Sequence, residues 1–178
     1  MGQILSEAEL VEALARDRAA GRRLVFANGC FDLLHVGHVR YLRGAAAEGD
    51  RLIVAVNDDR TVLALKGHGR PIVPAAERAE IISALEPVDY VVVFADATVE
   101  RLLLLLRPDV HCKGPDYTVE SVPERAVVQS YGGRTVIVGD DKQHSSRDVV
   151  ARLRQKIWSS GYLVIWLLIA SFIDQMTR

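Results

Sequence analysis

Asn28-Gly29-Cys30-Phe31-Asp32-Leu33-Leu34-His35-Val36-Gly37-His38 joins two stretches of different character. Before it, Leu24-Val25-Phe26-Ala27 is a continuous apolar run that predicts a buried strand. After it, Val39-Arg40-Tyr41-Leu42-Arg43-Gly44-Ala45-Ala46-Ala47 predicts a helix. Two imidazoles three positions apart therefore stand where a strand hands over to a helix. Backbone N–H groups at a helix start lack intrahelical partners, and the helix dipole favours negative charge there. Imidazole donors added to that junction suit phosphate oxygens, and the glycines let the chain turn tightly. Two other readings share the spacing: a metal pair, and two histidines satisfied near a helix start. No third histidine or carboxylate at ligand spacing supports the metal pair, so no metal site is expected.

Outward from this stretch, the pattern alternates strand and helix. Toward the N-terminus, Ser6 followed three residues later by Glu9 is a capping box opening a helix to about Ala20, with Leu10, Val11 and Leu14 on its apolar stripe. Toward the C-terminus, Leu52–Val56 predicts a second strand, apolar on both faces as in a parallel sheet. Asn57-Asp58-Asp59 caps a short helical stretch, and Lys66–Pro71 is a basic loop. A helix over 77–85, a third strand over 88–94 and a helix over 99–106 capped by Thr98 follow. Asp109-Val110-His111-Cys112 is a fourth strand, Pro123 sits in the first turn of a further helix, and Thr135–Val138 is a fifth strand. Ser145-Ser146 open a last amphipathic helix.

This alternation predicts an α/β, Rossmann-like, doubly wound parallel sheet of five strands in the order 3-2-1-4-5. The switch point falls between the first and fourth strands. Ligands bind there, at the carboxyl ends of the strands. The histidine loop and Lys113-Gly114-Pro115-Asp116-Tyr117 should then face each other across one crevice.

Composition narrows the function. The 178 residues suffice for one domain with a real core. Apolar content of 49% argues against disorder, and a net charge of −1 argues against a nucleic-acid face. Cys30 and Cys112 form no C-x-x-C pair and read as free thiols in a reducing cytoplasm. Met1–Ala20 is acidic and lacks an apolar core, so no secretory leader is expected.

The candidate site collects donors and cations. His35 and His38 donate to phosphoryl oxygens, while Lys66 and Lys113 supply charge. Ser145 and Ser146 add hydroxyls at a helix start, and Arg78 and Arg147 are further cations. Taken alone, Lys66 and Arg78 also fit solvated surface charges, and the two serines fit simple caps. Arg147 in a first helical turn is mildly unfavourable unless an anion lies nearby. His68, His111 and His144 read as loop or surface histidines. No Ser–His–Asp or paired-carboxylate arrangement is present. In-line attack by an ionised phosphate on a nucleotide α-phosphorus needs neither, because its nucleophile is already deprotonated.

Gly29-Cys30-Phe31-Asp32-Leu33-Leu34-His35-Val36-Gly37-His38 resembles the GxFDxxHxGH signature of the cytidylyltransferase-like nucleotidyltransferases. From about Leu5 to Arg154 the chain resembles one branch, the D-glycero-β-D-manno-heptose 1-phosphate adenylyltransferases. Val54-Ala55-Val56-Asn57-Asp58-Asp59, Lys66-Gly67 with Arg70-Pro71-Ile72, Glu77-Arg78-Ala79, and Pro108-Asp109-Val110 with Lys113-Gly114-Pro115-Asp116-Tyr117 carry the likeness. It implies transfer of AMP from ATP, accompanied by Mg²⁺, to a heptose 1-phosphate, giving ADP-heptose and pyrophosphate. It also implies nucleotide contacts at Asn28, Gly29, Cys30, Phe31, Asp32, Gly37, Arg78, Ser145, Ser146 and Arg147. Asp116 and Tyr117 would meet the sugar phosphate. A cytoplasmic homodimer is expected.

Two departures stand out. The usual S-T-T near the C-terminus is Ser145-Ser146-Arg147 here. Where Glu86 falls, the glycerol-phosphate cytidylyltransferases usually carry arginine. The bifunctional form of the family has a sugar kinase domain ahead of this one, and a separate kinase is expected here. A cytidylyltransferase for a polyol or amino-alcohol phosphate, and a non-catalytic nucleotide-binding module, remain the alternatives. The nucleotidyltransferase domain is set at 1–154. The tail, 155–178, includes 17 uncharged residues from Ile157 to Ile173 behind Arg152, Arg154 and Lys156. That is the short limit for a membrane span. The tail therefore reads as a packing helix or an anchor on the cytoplasmic face of the inner membrane.

Overall fold

The computed structural model describes residues 1–140 and 146–159. The elements run β1 (Gln3–Ile4), α1 (Glu7–Ala19), β2 (Leu24–Gly29), α2 (Val36–Ala46), β3 (Arg51–Asn57), α3 (Asp59–Lys66), α4 (Ala75–Ser83), β4 (Tyr90–Phe94), α5 (Glu100–Leu106), β5 (Val110–Lys113), α6 (Arg125–Ser130), β6 (Arg134–Ile137) and α7 (Ser146–Ser159). All the strand pairs are parallel, in the order β1-β4-β3-β2-β5-β6. The five expected strands hold their expected order. A sixth, β1, extends the edge beside β4.

That strand is set by close backbone approach. The Gly2 N–H donates to the Ser83 carbonyl at 2.7 Å, and a Cβ at Gly2 would lie 2.7 Å from the Val88 carbonyl oxygen. Gln3 and Leu5 then donate to Asp89 and Val91.

Alternation along the central strands divides the core. Val25, Ala27, Val54, Val56 and Cys112 pack with α2 and α4 residues on one face. Leu24, Phe26, Ile53 and Ala55 pack with residues of α1 and α5 on the other. Burial of both faces explains why β2 and β3 are apolar throughout.

Side-chain caps account for the starts of α1 and α3. Ser6 and Glu9 form the capping box of α1, and the Asp58 carboxylate accepts the Thr61 N–H at 2.7 Å to start α3. Thr98 does not cap α5. The N-cap is Val99, without a side-chain bond, so packing of Leu102, Leu103 and Leu106 holds this helix.

Contacts divide the chain into Met1–Gln143 and His144–Arg178. The second unit contains α7, which starts at Ser146 and runs past residue 154 to Ser159. Residues 160–178, with most of the apolar tail, lie outside the described set. Among the described residues no helix is long and apolar enough to cross a membrane.

Candidate active site

The histidine loop leaves β2 with a strained backbone. Phe31 and Leu33 have φ of 49° and 53°, in the left-handed region that non-glycine residues rarely occupy. Gly29 permits the turn, because a Cβ there would lie 3.2 Å from the Phe31 ring. Phe31 is buried and its ring meets the His38 ring edge-on at 5.5 Å. The helix starts three residues earlier than the sequence pattern suggests. His35 is the N-cap of α2, Gly37 is in its first turn, and His38 is the third helical residue.

The two rings have different roles. They stack at 3.8 Å, but only His38 lines the adjoining cleft. The His35 backbone N–H donates to His38 Nδ1 at 3.3 Å. An accepting Nδ1 leaves the proton on Nε2, which is then a fixed donor. Burial, with His35 and Lys66 nearby, lowers the His38 pKa to about 4. At neutral pH this ring is an uncharged N–H donor until an anion arrives.

The cleft has a volume of about 280 Å³ and opens at the carboxyl ends of β2 and β5. The histidine loop lines one side through Asn28, Gly29, Cys30 and Phe31. Lys66 enters from the end of α3, and Lys113, Gly114, Asp116 and Tyr117 come from β5 and its following loop. The two loops face each other as the switch-point argument requires. Lys66 is in no ion pair among the described residues. Lys113 is only 8% exposed and donates to Asn28 Oδ1 and Glu124 Oε1, each at 3.1 Å. Its ammonium also lies 5.5 Å from the Tyr117 ring centroid.

Two expected contact residues stand behind the cleft instead of in it. Asp32 is 5% exposed, and its carboxylate takes Arg70 Nη1 at 2.6 Å and the Ile72 and Val73 N–H groups at 3.0 and 3.1 Å. Burial alone would raise this carboxyl, but the hydrogen bonds outweigh it and hold it below the usual range. Arg78 is 1% exposed, so it is no solvated charge. It donates to the Val73 carbonyl, the Cys30 carbonyl and Asp59. Asp32 and Arg78 together clamp the segment after α3 to the histidine loop. Ser145 lies outside the described residues; Ser146 and Arg147 begin α7, and their side chains lie outside them as well.

Three residues of the site escaped the sequence reading. His111 is on β5 and fully buried, not a loop or surface histidine. Its Nε2 bonds Asn28 Oδ1 at 3.2 Å, and burial beside Lys113 lowers its pKa to about 3. Tyr41 lines the cleft and donates to the Cys112 carbonyl at 2.7 Å. Glu124 is the third. Both cysteines are free; burial raises each thiol, Cys112 to about 12.

Known proteins with the same pattern place this geometry. The family described as cytidylyltransferase-like matches residues 26–171. The chain belongs to that family. Its match runs past Arg154, where the likeness read from the sequence ends. The chain is 48% identical over 153 residues to the bifunctional protein HldE of Pseudomonas paraeruginosa and 46% identical over 144 residues to that of Geobacter sulfurreducens. These stretches cover 86% and 81% of this chain but 32% and 29% of those proteins. The chain thus spans about a third of the length of the curated relatives it matches. The lipopolysaccharide core biosynthesis protein from Thermoplasma volcanium superposes with a TM-score of 0.59 at 28% identity, covering 67% of this chain and 98% of that one. Pantothenate synthetase from Thermus thermophilus gives 0.62 at 20% identity, over 83% of this chain and 67% of that one, and shares the fold.

Proposed function

We propose that this cytidylyltransferase-like chain transfers AMP from ATP to D-glycero-β-D-manno-heptose 1-phosphate, releasing pyrophosphate and forming ADP-heptose. The carrying observation is the convergence of the His38 Nε2 donor, Lys66 and Lys113 on one cleft at the switch point. Similarity to proteins named bifunctional HldE, and to a lipopolysaccharide core biosynthesis protein, supports the substrate class.

This reading gives each cleft residue a role. The sugar phosphate attacks the α-phosphorus in line, and pyrophosphate leaves. With a second phosphate pKa of about 6, the nucleophile is ionised at neutral pH and needs no base. His38 donates from Nε2 to a phosphoryl oxygen, and the two lysines offset charge gathering on the leaving group. On this reading Asp116 and Tyr117, which line the cleft, meet the acceptor. Among the described residues no group of three His, Cys, Asp or Glu could hold a metal. Mg²⁺ would arrive with the triphosphate and would neutralise part of its charge. A homodimer working in the cytoplasm belongs to the same reading.

Pyrophosphate release tests it, with ATP or CTP against a panel of sugar 1-phosphates and alcohol phosphates. Turnover with ATP and the heptose 1-phosphate is expected. Turnover only with CTP and an alcohol phosphate, or ATP binding without turnover, overturns it.

A further inference from the structure

We propose that Glu124 is a positioning residue for Lys113, fixing where the ammonium points into the cleft; this rests on the nucleotidyl-transfer reading above. An ammonium has three N–H donors and no acceptor. Lys113 gives one to Asn28 Oδ1 and one to Glu124 Oε1, both at 3.1 Å. The third has no acceptor among the described residues. Two fixed bonds set the direction of the remaining one, and Lys113 lines the cleft.

Glu124 does not line the cleft. It is 8% exposed and lies eleven residues beyond Lys113, immediately before α6. Its Oε2 has no hydrogen-bond partner among the described residues, so the bond to Lys113 is the polar contact its carboxylate is seen to make. A buried carboxylate kept for one buried ammonium is costly unless the pair does something a hydrophobic pair could not. The lysine stem is flexible, and an anchored ammonium avoids the entropy of fixing it on each encounter with a phosphate. Asn28 joins the same arrangement from the other side, because His111 Nε2 holds its Oδ1 as well.

A double-mutant cycle on the full chain tests the assignment, using Glu124→Gln, Lys113→Gln and the pair together. The readouts are kcat and KM for ATP, and the Kd of ATP with Mg²⁺ and of tripolyphosphate by calorimetry. Lys113→Gln should lose about 100-fold in kcat, as for an aligned donor at a charged transition state. Glu124→Gln should lose about 10-fold. The double variant should be no worse than Lys113→Gln within about 3-fold, since Glu124 acts only through Lys113. Glu124→Asp should recover part of the loss. Losses that multiply in the double variant overturn the assignment, as does a Glu124→Gln enzyme with unaltered kcat. Urea unfolding accompanies each variant. If Lys113→Gln fails to fold, Glu124→Gln decides alone: reduced kcat with an unchanged unfolding midpoint supports positioning, and a lowered midpoint with unchanged kcat overturns it. If the unaltered chain binds ATP but turns over no sugar phosphate, the substrate reading fails, and the same cycle in Kd still judges Glu124.

Discussion

Replacing Asp32 by Asn separates two roles that the loop motif alone leaves together. The carboxylate is 5% exposed and spends its oxygens on Arg70 at 2.6 Å and on the Ile72 and Val73 N–H groups. Asn can keep its one carbonyl oxygen on the two backbone donors only by turning its NH2, itself a donor, toward Arg70. A charge-assisted hydrogen bond contributes about 1.5–3 kcal/mol, and breaking a fully buried pair costs about 3–5 kcal/mol. The Arg70 side chain is 15% exposed, so water takes over part of its solvation. The expected loss is about 2 kcal/mol. With a urea slope of about 1–3 kcal/mol per M, the unfolding midpoint drops by roughly 1 M.

The pH dependence has a definite sign. The folded-state pKa of Asp32 is lowered, so its stabilisation is fully present above the unfolded value of about 3.9 and is lost as pH falls through the folded value. The gap between the native chain and Asp32→Asn should hold from neutral pH to about 5 and then close. Turnover should change little: kcat within about 3-fold, with KM for ATP raised a few-fold as the segment that follows Lys66 loosens. Equal urea midpoints together with a kcat loss of about 100-fold or more would refute this reasoning, because Asp32 would then touch the ligand.

Other consequences are open to measurement. His38→Ala should lower kcat/KM by about 10²–10³ while the unfolding midpoint stays near that of the native chain; a loss below about 5-fold contradicts the donor role. Nitrogen NMR should find His38 protonated at Nε2 and uncharged down to about pH 4, with ATP shifting the titration upward; a charged ring at pH 6 without ligand contradicts the geometry. Arg78→Leu strands the Val73 and Cys30 carbonyls, while the half-exposed Asp59 carboxylate keeps water, and should destabilise by about 2–4 kcal/mol in urea. A native midpoint with lost ATP affinity would make Arg78 a ligand contact instead. His111 Nδ1, Glu124 Oε2, Tyr131 Oη and Thr135 Oγ1 are buried without partners among the described residues, and His111 and Thr135 are register neighbours. A high-resolution crystal structure should show ordered water at these atoms.

How far the sequence carried depended on the range of each interaction. The strand–loop–helix around His35 and His38 was legible because its signals are contiguous: an apolar run, glycines and a helical pattern. The sheet order followed from alternation and handedness. β1 was not legible, since Gln3–Ile4 is too short for any period to show. The partners of Asp32 lie 38 to 41 positions away and those of Arg78 5 to 48, and the set comes together only when α4 packs beside β3 and β4. His111 looked like a surface histidine because burial in a parallel strand was not credited to a polar side chain. Glu124 carried no local signal, although a carboxylate beside Pro123 and eleven residues after a switch-point lysine was a partner worth weighing.

The central claim is that the cleft beside α2 grips the nucleotide's phosphates. A crystal structure of the full chain with a non-hydrolysable ATP analogue and Mg²⁺ addresses it most directly. The account predicts phosphoryl oxygens within about 3 Å of His38 Nε2 and Lys113 Nζ, with Lys66 facing the same group. Phosphates bound elsewhere, with His38 Nε2 directed into the protein, would contradict it.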